Sequence, residues 1–230
     1  MPRLSLRFFF DINSPYAYVG FELLQRLQAG SWARSQVSVS LAPVRVPALF
    51  RDVKNTPPLA SPAKDDAIFQ TANMLRDLRR LSRHFGLGMS VPENLAEFLL
   101  AGNTIAAGRL IAAAHLHRPE SETAITRALF DRFWRHNVSV HTDEDLQEVL
   151  RSIPNSSELL AAAKSDEAKA AVFANTEEVK NDGAFGVPWI VATDEVTGRT
   201  ESFFGSDRYD VIASELGLPE PCLIPKCVQG

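Results

Sequence analysis

The stretch from Phe8 to Tyr18, reading Phe-Phe-Phe-Asp-Ile-Asn-Ser-Pro-Tyr-Ala-Tyr, carries the residues best suited to chemistry. Ser14-Pro15 reads as a helix cap followed by proline at the first helical position. From Tyr16 to Leu27 apolar residues recur at helical spacing. A helix N-terminus presents unpaired N–H groups and a positive partial charge. A hydroxyl there stands where an anion such as a thiolate is favoured. Capping alone would explain an isolated Ser-Pro, so the chemical reading depends on other stretches. Lys54-Asn55-Thr56-Pro57-Pro58 is one: its prolines fix the backbone, making either a surface turn or a fixed position for the Asn55 amide. Gly205-Ser206-Asp207 is another, placed before a helix from Arg208 to Leu216, with Ser206 or Asp207 as its cap.

Other chemistries find little support. The two cysteines, Cys222 and Cys227, lie in the tail and are not spaced as a Cys-x-x-Cys redox pair. The five histidines are scattered and read as structural or surface residues. His115 and His117, two apart, do not share a helix face, and no carboxylate is arranged around either in the sequence. No zinc spacing, Gly-rich phosphate loop or Ser-His-Asp set is discernible, and no metal is expected. Arg76, Arg79, Arg80 and Arg83 line one helix face, as a solvated stripe or as a surface for a partner subunit or an anionic group.

These residues need elements to position them. Leu4 to Phe10 is apolar and aromatic, as a buried strand is, and runs directly into the helix behind Ser14. Gln36 to Leu41 alternates as a second strand, and the proline-punctuated segment from Pro43 to Pro62 reads as a loop or linker. From Lys64 to about Asp182 the pattern is helical: Ile68, Met74, Leu75, Leu78 and Leu81 form an apolar face ended by Gly86. Helices follow at Asn103 to Leu116, Thr123 to Trp134, near Thr142, and Ser165 to Lys180. Val187 to Thr193 and Thr200 to Phe204 then make a hairpin.

The 230 residues, 45% hydrophobic and 23% charged, can bury a full core. A net charge of −4 argues against a broad nucleic-acid surface, and no apolar run is long enough to cross a bilayer. The chain enters its first strand at once, which predicts no cleavable signal peptide, and its cysteine usage suggests a reducing intracellular compartment.

Strand, helix, strand, helical block, hairpin and helix is the thioredoxin order with an α-helical insertion, an α/β fold. The motifs Asp11-Ile12-Asn13-Ser14-Pro15-Tyr16, Asn55-Thr56-Pro57-Pro58, Gly183-Ala184-Phe185-Gly186-Val187-Pro188 and Phe204-Gly205-Ser206-Asp207-Arg208 add specificity. Through them the chain resembles the kappa class of glutathione transferases, and more broadly the thioredoxin-like family related to DsbA-type disulfide oxidoreductases. The resemblance implies a thioredoxin-like domain over 1–50 and 183–230, interrupted by an all-α insertion over 51–182. It implies glutathione as co-substrate, no metal, a hydrophobic electrophile as second substrate, a role in detoxification, and a homodimer with neither nucleic-acid nor membrane partners. Ser14 would stabilise the thiolate, assisted by Pro15-Tyr16 at the helix start. Val187 would pair with the peptide beside a cis-proline at Pro188. Ser206 and Asp207 would hold the γ-glutamyl end, and Asn55 the other. Ser14 and Ala17 occupy the two cysteine positions of the oxidoreductases, so disulfide cycling there is excluded. The alternatives are a glutathione-dependent isomerase of the 2-hydroxychromene-2-carboxylate type, and a non-catalytic binding module on the same fold.

Overall fold

The computed structural model describes residues 3–55 and 65–224, the side chains of 65–71 excepted. Thr56-Pro57-Pro58, Pro62, Cys227 and the Ile68 side chain therefore lie outside the described residues.

Phe8, Phe9 and Phe10 are all fully buried, which requires cover on both faces of their strand. The strand β1 (Leu4–Phe10) is central: it pairs in parallel with β2 (Val37–Pro43) and antiparallel with β3 (Trp189–Asp194). The hairpin partner β4 (Thr200–Phe204) completes the order β2-β1-β3-β4. On one face Phe9 packs with Leu49 of α2 (Val46–Asp52) and Val179 of α9 (Asp166–Asn181). On the other, Phe8 and Phe10 join Tyr18 and Phe21 of α1 (Pro15–Ala29).

The helices between β2 and β3 are α2, α3 (Asp65–Phe85), α4 (Leu95–Leu100), α5 (Ile105–His117), α6 (Pro119–Phe130), α7 (Asp143–Leu150), α8 (Leu159–Ala162) and α9. A helix α10 (Tyr209–Leu216) follows β4. The helical block shares the core of the sheet. Phe130 at the end of α6 stands 5.6 Å from Phe10, 5.6 Å from Tyr18 and 5.3 Å from Phe21, centroid to centroid. Past it the chain widens into a π-helical turn, Asp131–Arg135, and Trp134 there donates its indole N–H to the carbonyl of Ile12 at 2.8 Å.

Several expectations need correction. The proline-rich segment after β2 contains the helix α2, because Pro47 falls in its first turn, where its missing N–H costs nothing. Pro119 starts α6 in the same way, four residues before the expected Thr123. Helix α10 begins at Tyr209 after Arg208, and neither Ser206 nor Asp207 caps it. Carboxylates do stand against two histidines, Glu122 at 3.2 Å from His115 and Glu167 at 3.9 Å from His117. They come from α6 and α9, a juxtaposition that only packing creates.

Asp145, in the first turn of α7, ties down the loop ahead of that helix. Its carboxylate accepts from Ser139 Oγ at 2.7 Å, from the N–H groups of His141 and Thr142 at 3.1 Å, and from Arg132 at 3.1 Å. Burial pushes its pKa up, but these donors outweigh burial and hold it at about 2. A carboxyl depressed by folding stabilises above its unfolded pKa and loses that contribution as pH falls through the folded one. Urea unfolding should therefore show about 2 kcal/mol of stability lost between pH 4 and 2 through this group, a loss absent from Asp145→Asn. Phe130→Ala, which empties the contact between helical block and sheet, should cost about 3–5 kcal/mol in the same assay at neutral pH.

Candidate functional site

The site begins where β1 ends. Asp11 is 6% exposed and its carboxylate gathers three segments. Oδ1 accepts from the N–H of Asn13 at 3.1 Å and from the Thr104 hydroxyl before α5. Oδ2 accepts from the N–H of Val46 at the start of α2, at 3.1 Å. Burial pushes this carboxyl above the usual range, opposed by these hydrogen bonds and by the charge of Arg45. The Asp11 carbonyl takes the N–H of Ser14 at 2.9 Å, which closes the turn.

Ser14 lies in extended conformation as the cap of α1, its Oγ accepting from the N–H of Ala17 at 3.2 Å. The same hydroxyl donates to the carbonyl of Val187 at 3.3 Å. Pro15 has no N–H and that of Ala17 is engaged, which leaves the N–H of Tyr16 as the open donor of this first turn. The Val187–Pro188 peptide bond is cis. The carbonyl of Pro188 accepts from the N–H of Gly205 at 3.1 Å, which ties the turn carrying Ser206 and Asp207 to this edge. Gly205 has φ +113°, a backbone that glycine adopts without steric cost.

Ser14, Pro15, Tyr16, Asn55 and Val187 all border one cleft of about 740 Å³. The structure therefore brings together five of the eight residues expected from the sequence. Pro188 sits behind the edge, while Ser206, buried, and Asp207, exposed and 3.7 Å from Arg208, lie beyond the cleft proper. Asn55 donates its side-chain N–H to the Phe185 carbonyl at 2.6 Å, anchoring the loop that leads to Val187.

One wall is aromatic: Phe50 of α2, Phe185 and Phe204, the last two 4.5 Å apart. Gly186 permits this, since a Cβ there would stand 3.2 Å from the Phe204 ring. The facing wall comes from the helical block, with Asn73 and Met74 of α3 and Leu99 and Leu100 at the end of α4. An apolar cleft with a hydroxyl and a helix N-terminus in its lining can hold a polar or anionic group beside an apolar one. Among the described residues no three His, Cys, Asp or Glu side chains converge as a metal site.

Sequence reasoning did not single out Asp11, Thr104 or Asp77, whose Oδ2 accepts from the Tyr16 phenol at 3.0 Å. An acidic residue ending a run of three phenylalanines was the one signal available for Asp11.

A family model, the DSBA-like thioredoxin domain, matches residues 5–217. Glutathione S-transferase kappa 1 of Caenorhabditis elegans is 28% identical over 225 residues, covering 96% of this chain and 95% of that protein. The Homo sapiens protein of the same name is 29% identical over 234 residues, with 100% and 98% covered. Among solved structures, a 2-hydroxychromene-2-carboxylate isomerase is similar with a TM-score of 0.70 at 18% identity, covering 93% of this chain and 94% of that one. A probable DsbA oxidoreductase from Streptomyces coelicolor also reaches 0.70 at 19% identity, with 93% and 88% covered. Those two likenesses are of fold. The Ser14 turn, the Val187–Pro188 edge and every described helix fall within the matched span: this chain belongs to the DSBA-like thioredoxin family.

Proposed function

We propose that this protein is a glutathione transferase, which holds the glutathione thiol as a thiolate beside Ser14 and presents it to an apolar electrophile in the cleft. The observation that carries the reading is the Ser14 hydroxyl at the N-terminus of α1, 3.3 Å from the Val187 carbonyl on the cleft's edge. The near full-length likeness to kappa-class transferases supports it.

An unperturbed cysteine thiol has a pKa of ~8.5, so near neutral pH most of it is protonated and unreactive. A hydroxyl donor and an open helix N–H stabilise the thiolate and lower that pKa. Once the bound peptide takes over the Val187 carbonyl, the Ser14 Oγ–H is released from it and, with the Tyr16 N–H, supplies these two donors. The tripeptide runs along the 185–188 loop. Asp207 and Ser206 take its γ-glutamyl end, the Val187 backbone pairs with its middle, and Asn55 meets its far end. That course lies along the aromatic wall and leaves the facing side, with Met74, Leu99 and Leu100, to the electrophile. The sulfur lone pair forms the new S–C bond, and the leaving group departs with its electron pair. The reaction consumes reduced glutathione, which assigns the protein to a reducing compartment. A homodimer completes the reading, and sedimentation tests it.

Titration calorimetry with glutathione, paired with conjugation of an aryl halide, tests the whole. Asp207→Ala should weaken glutathione binding about tenfold by removing the partner of the ammonium group. Ser14→Ala should bind nearly as wild type, yet lose about 100-fold in kcat/KM. Its rate profile should move to higher pH, towards the pKa of the free thiol. Absence of glutathione binding to the wild type would overturn the proposal. Turnover of a hydroxychromene carboxylate with catalytic glutathione, without conjugation, would replace it by the isomerase reading.

A further inference from the structure

The electrophile side of the cleft is walled by a helix distant in sequence from Ser14, so something must fix the gap between them. Tyr16 lies in the first turn of α1, two residues past Ser14, and borders the cleft. Its phenol donates to Asp77 Oδ2 of α3 at 3.0 Å. Asn73 and Met74, which also border the cleft, precede Asp77 by four and three residues on the same helix. Positions so spaced share a helix face, so Asp77 stands one turn along from the wall it would steady. The Tyr16–Asp77 bond joins the turn that carries Ser14 to the helix that carries Asn73 and Met74.

The charges around it suit a strut. A phenol donating to a carboxylate makes one of the stronger hydrogen bonds available to neutral donors. The arginines of this helix, Arg76, Arg79, Arg80 and Arg83, are exposed, and among the described residues no salt bridge joins them to Asp77. The carboxylate thus keeps Tyr16 as its partner. Burial and the Asp77 charge both raise the Tyr16 pKa, so the phenol stays a donor throughout the neutral range.

We infer that Asp77 is a positioning residue for electrophile selectivity: through Tyr16 it holds Asn73 and Met74 at a set distance from Ser14, and so fixes the width of the second-substrate site. This rests on the transferase reading given above. Asp77 touches neither glutathione nor the reacting atoms, so its loss should alter the choice of electrophile without altering thiol activation.

The experiment compares wild type, Asp77→Ala and Asp77→Asn with a compact aryl halide and with a bulky polycyclic epoxide. Asp77→Ala should raise KM for the compact substrate about fivefold or more, and lower it for the bulky one. Its kcat, its pH profile and its glutathione Kd should stay within about twofold of wild type. Asp77→Asn, whose amide oxygen still accepts the phenol proton, should restore the wild-type ratio. Ultraviolet titration supplies a readout independent of turnover: one tyrosine should ionise at lower pH in Asp77→Ala than in wild type. Unchanged KM values in Asp77→Ala, or parallel losses for both electrophiles, would overturn the inference. A glutathione Kd that rises with them would do the same, by assigning Asp77 to the peptide site. Should wild type fail to bind glutathione, the transferase reading falls instead. The strut is then judged by the tyrosine titration and by binding of anilinonaphthalene sulfonate to the folded proteins, where an unchanged Kd in Asp77→Ala sinks it.

Discussion

A single buried carboxylate organises the ground on which the site stands. Asp11 ends the central strand and, within one side chain, takes donors from the turn before Ser14, from the start of α2 and from the threonine before α5. Without it the buried Thr104 hydroxyl and the part-buried N–H groups of Asn13 and Val46 would lose their partner. Removing such a hub leaves several donors unsatisfied at once, which is costlier than losing one hydrogen bond. The position of the Ser14 hydroxyl thus follows from the satisfaction of buried polar groups beneath it.

Above that hub the apolar core makes the sheet and the helical block interdependent. Phe130 packs on the aromatic residues of β1 and α1, and Trp134 reaches the carbonyl of Ile12, the residue next to Asp11. A helix inserted between two halves of a sheet could have hung from it by a hinge. Here the aromatic contacts knit it into the same cluster of buried residues, and one wall of the cleft inherits that rigidity.

Much of the architecture was legible in the sequence because it is written in local signals. Phe8 to Phe10 announced a buried strand, Ser14-Pro15 a helix start, and Ser165 to Lys180 the last helix in the block. Proline misled the reading where it stood inside a first turn, as at Pro47 and Pro119, since it both breaks helices and begins them. Ser206 and Asp207 looked like caps because their types cap helices, yet the helix starts two residues on. Contacts made by packing left no local trace. Asp11 with Thr104 is separated by 93 residues and Tyr16 with Asp77 by 61, and nothing in the spacing of either pair signals the other partner. Five residues of the cleft were readable as motifs, whereas the groups that orient them were not.

The backbone ties along the cleft's edge have a consequence for what the site can measure. Asn55 is fixed to the Phe185 carbonyl, Ser14 to that of Val187, and the turn bearing Asp207 to that of Pro188 through Gly205. Three chemically different groups are thereby pinned at successive stations on one short stretch of chain, with little slack between them. Such an edge works as a ruler. It presents its hydrogen-bonding groups at fixed intervals, which suits an extended partner whose own groups recur at the same intervals.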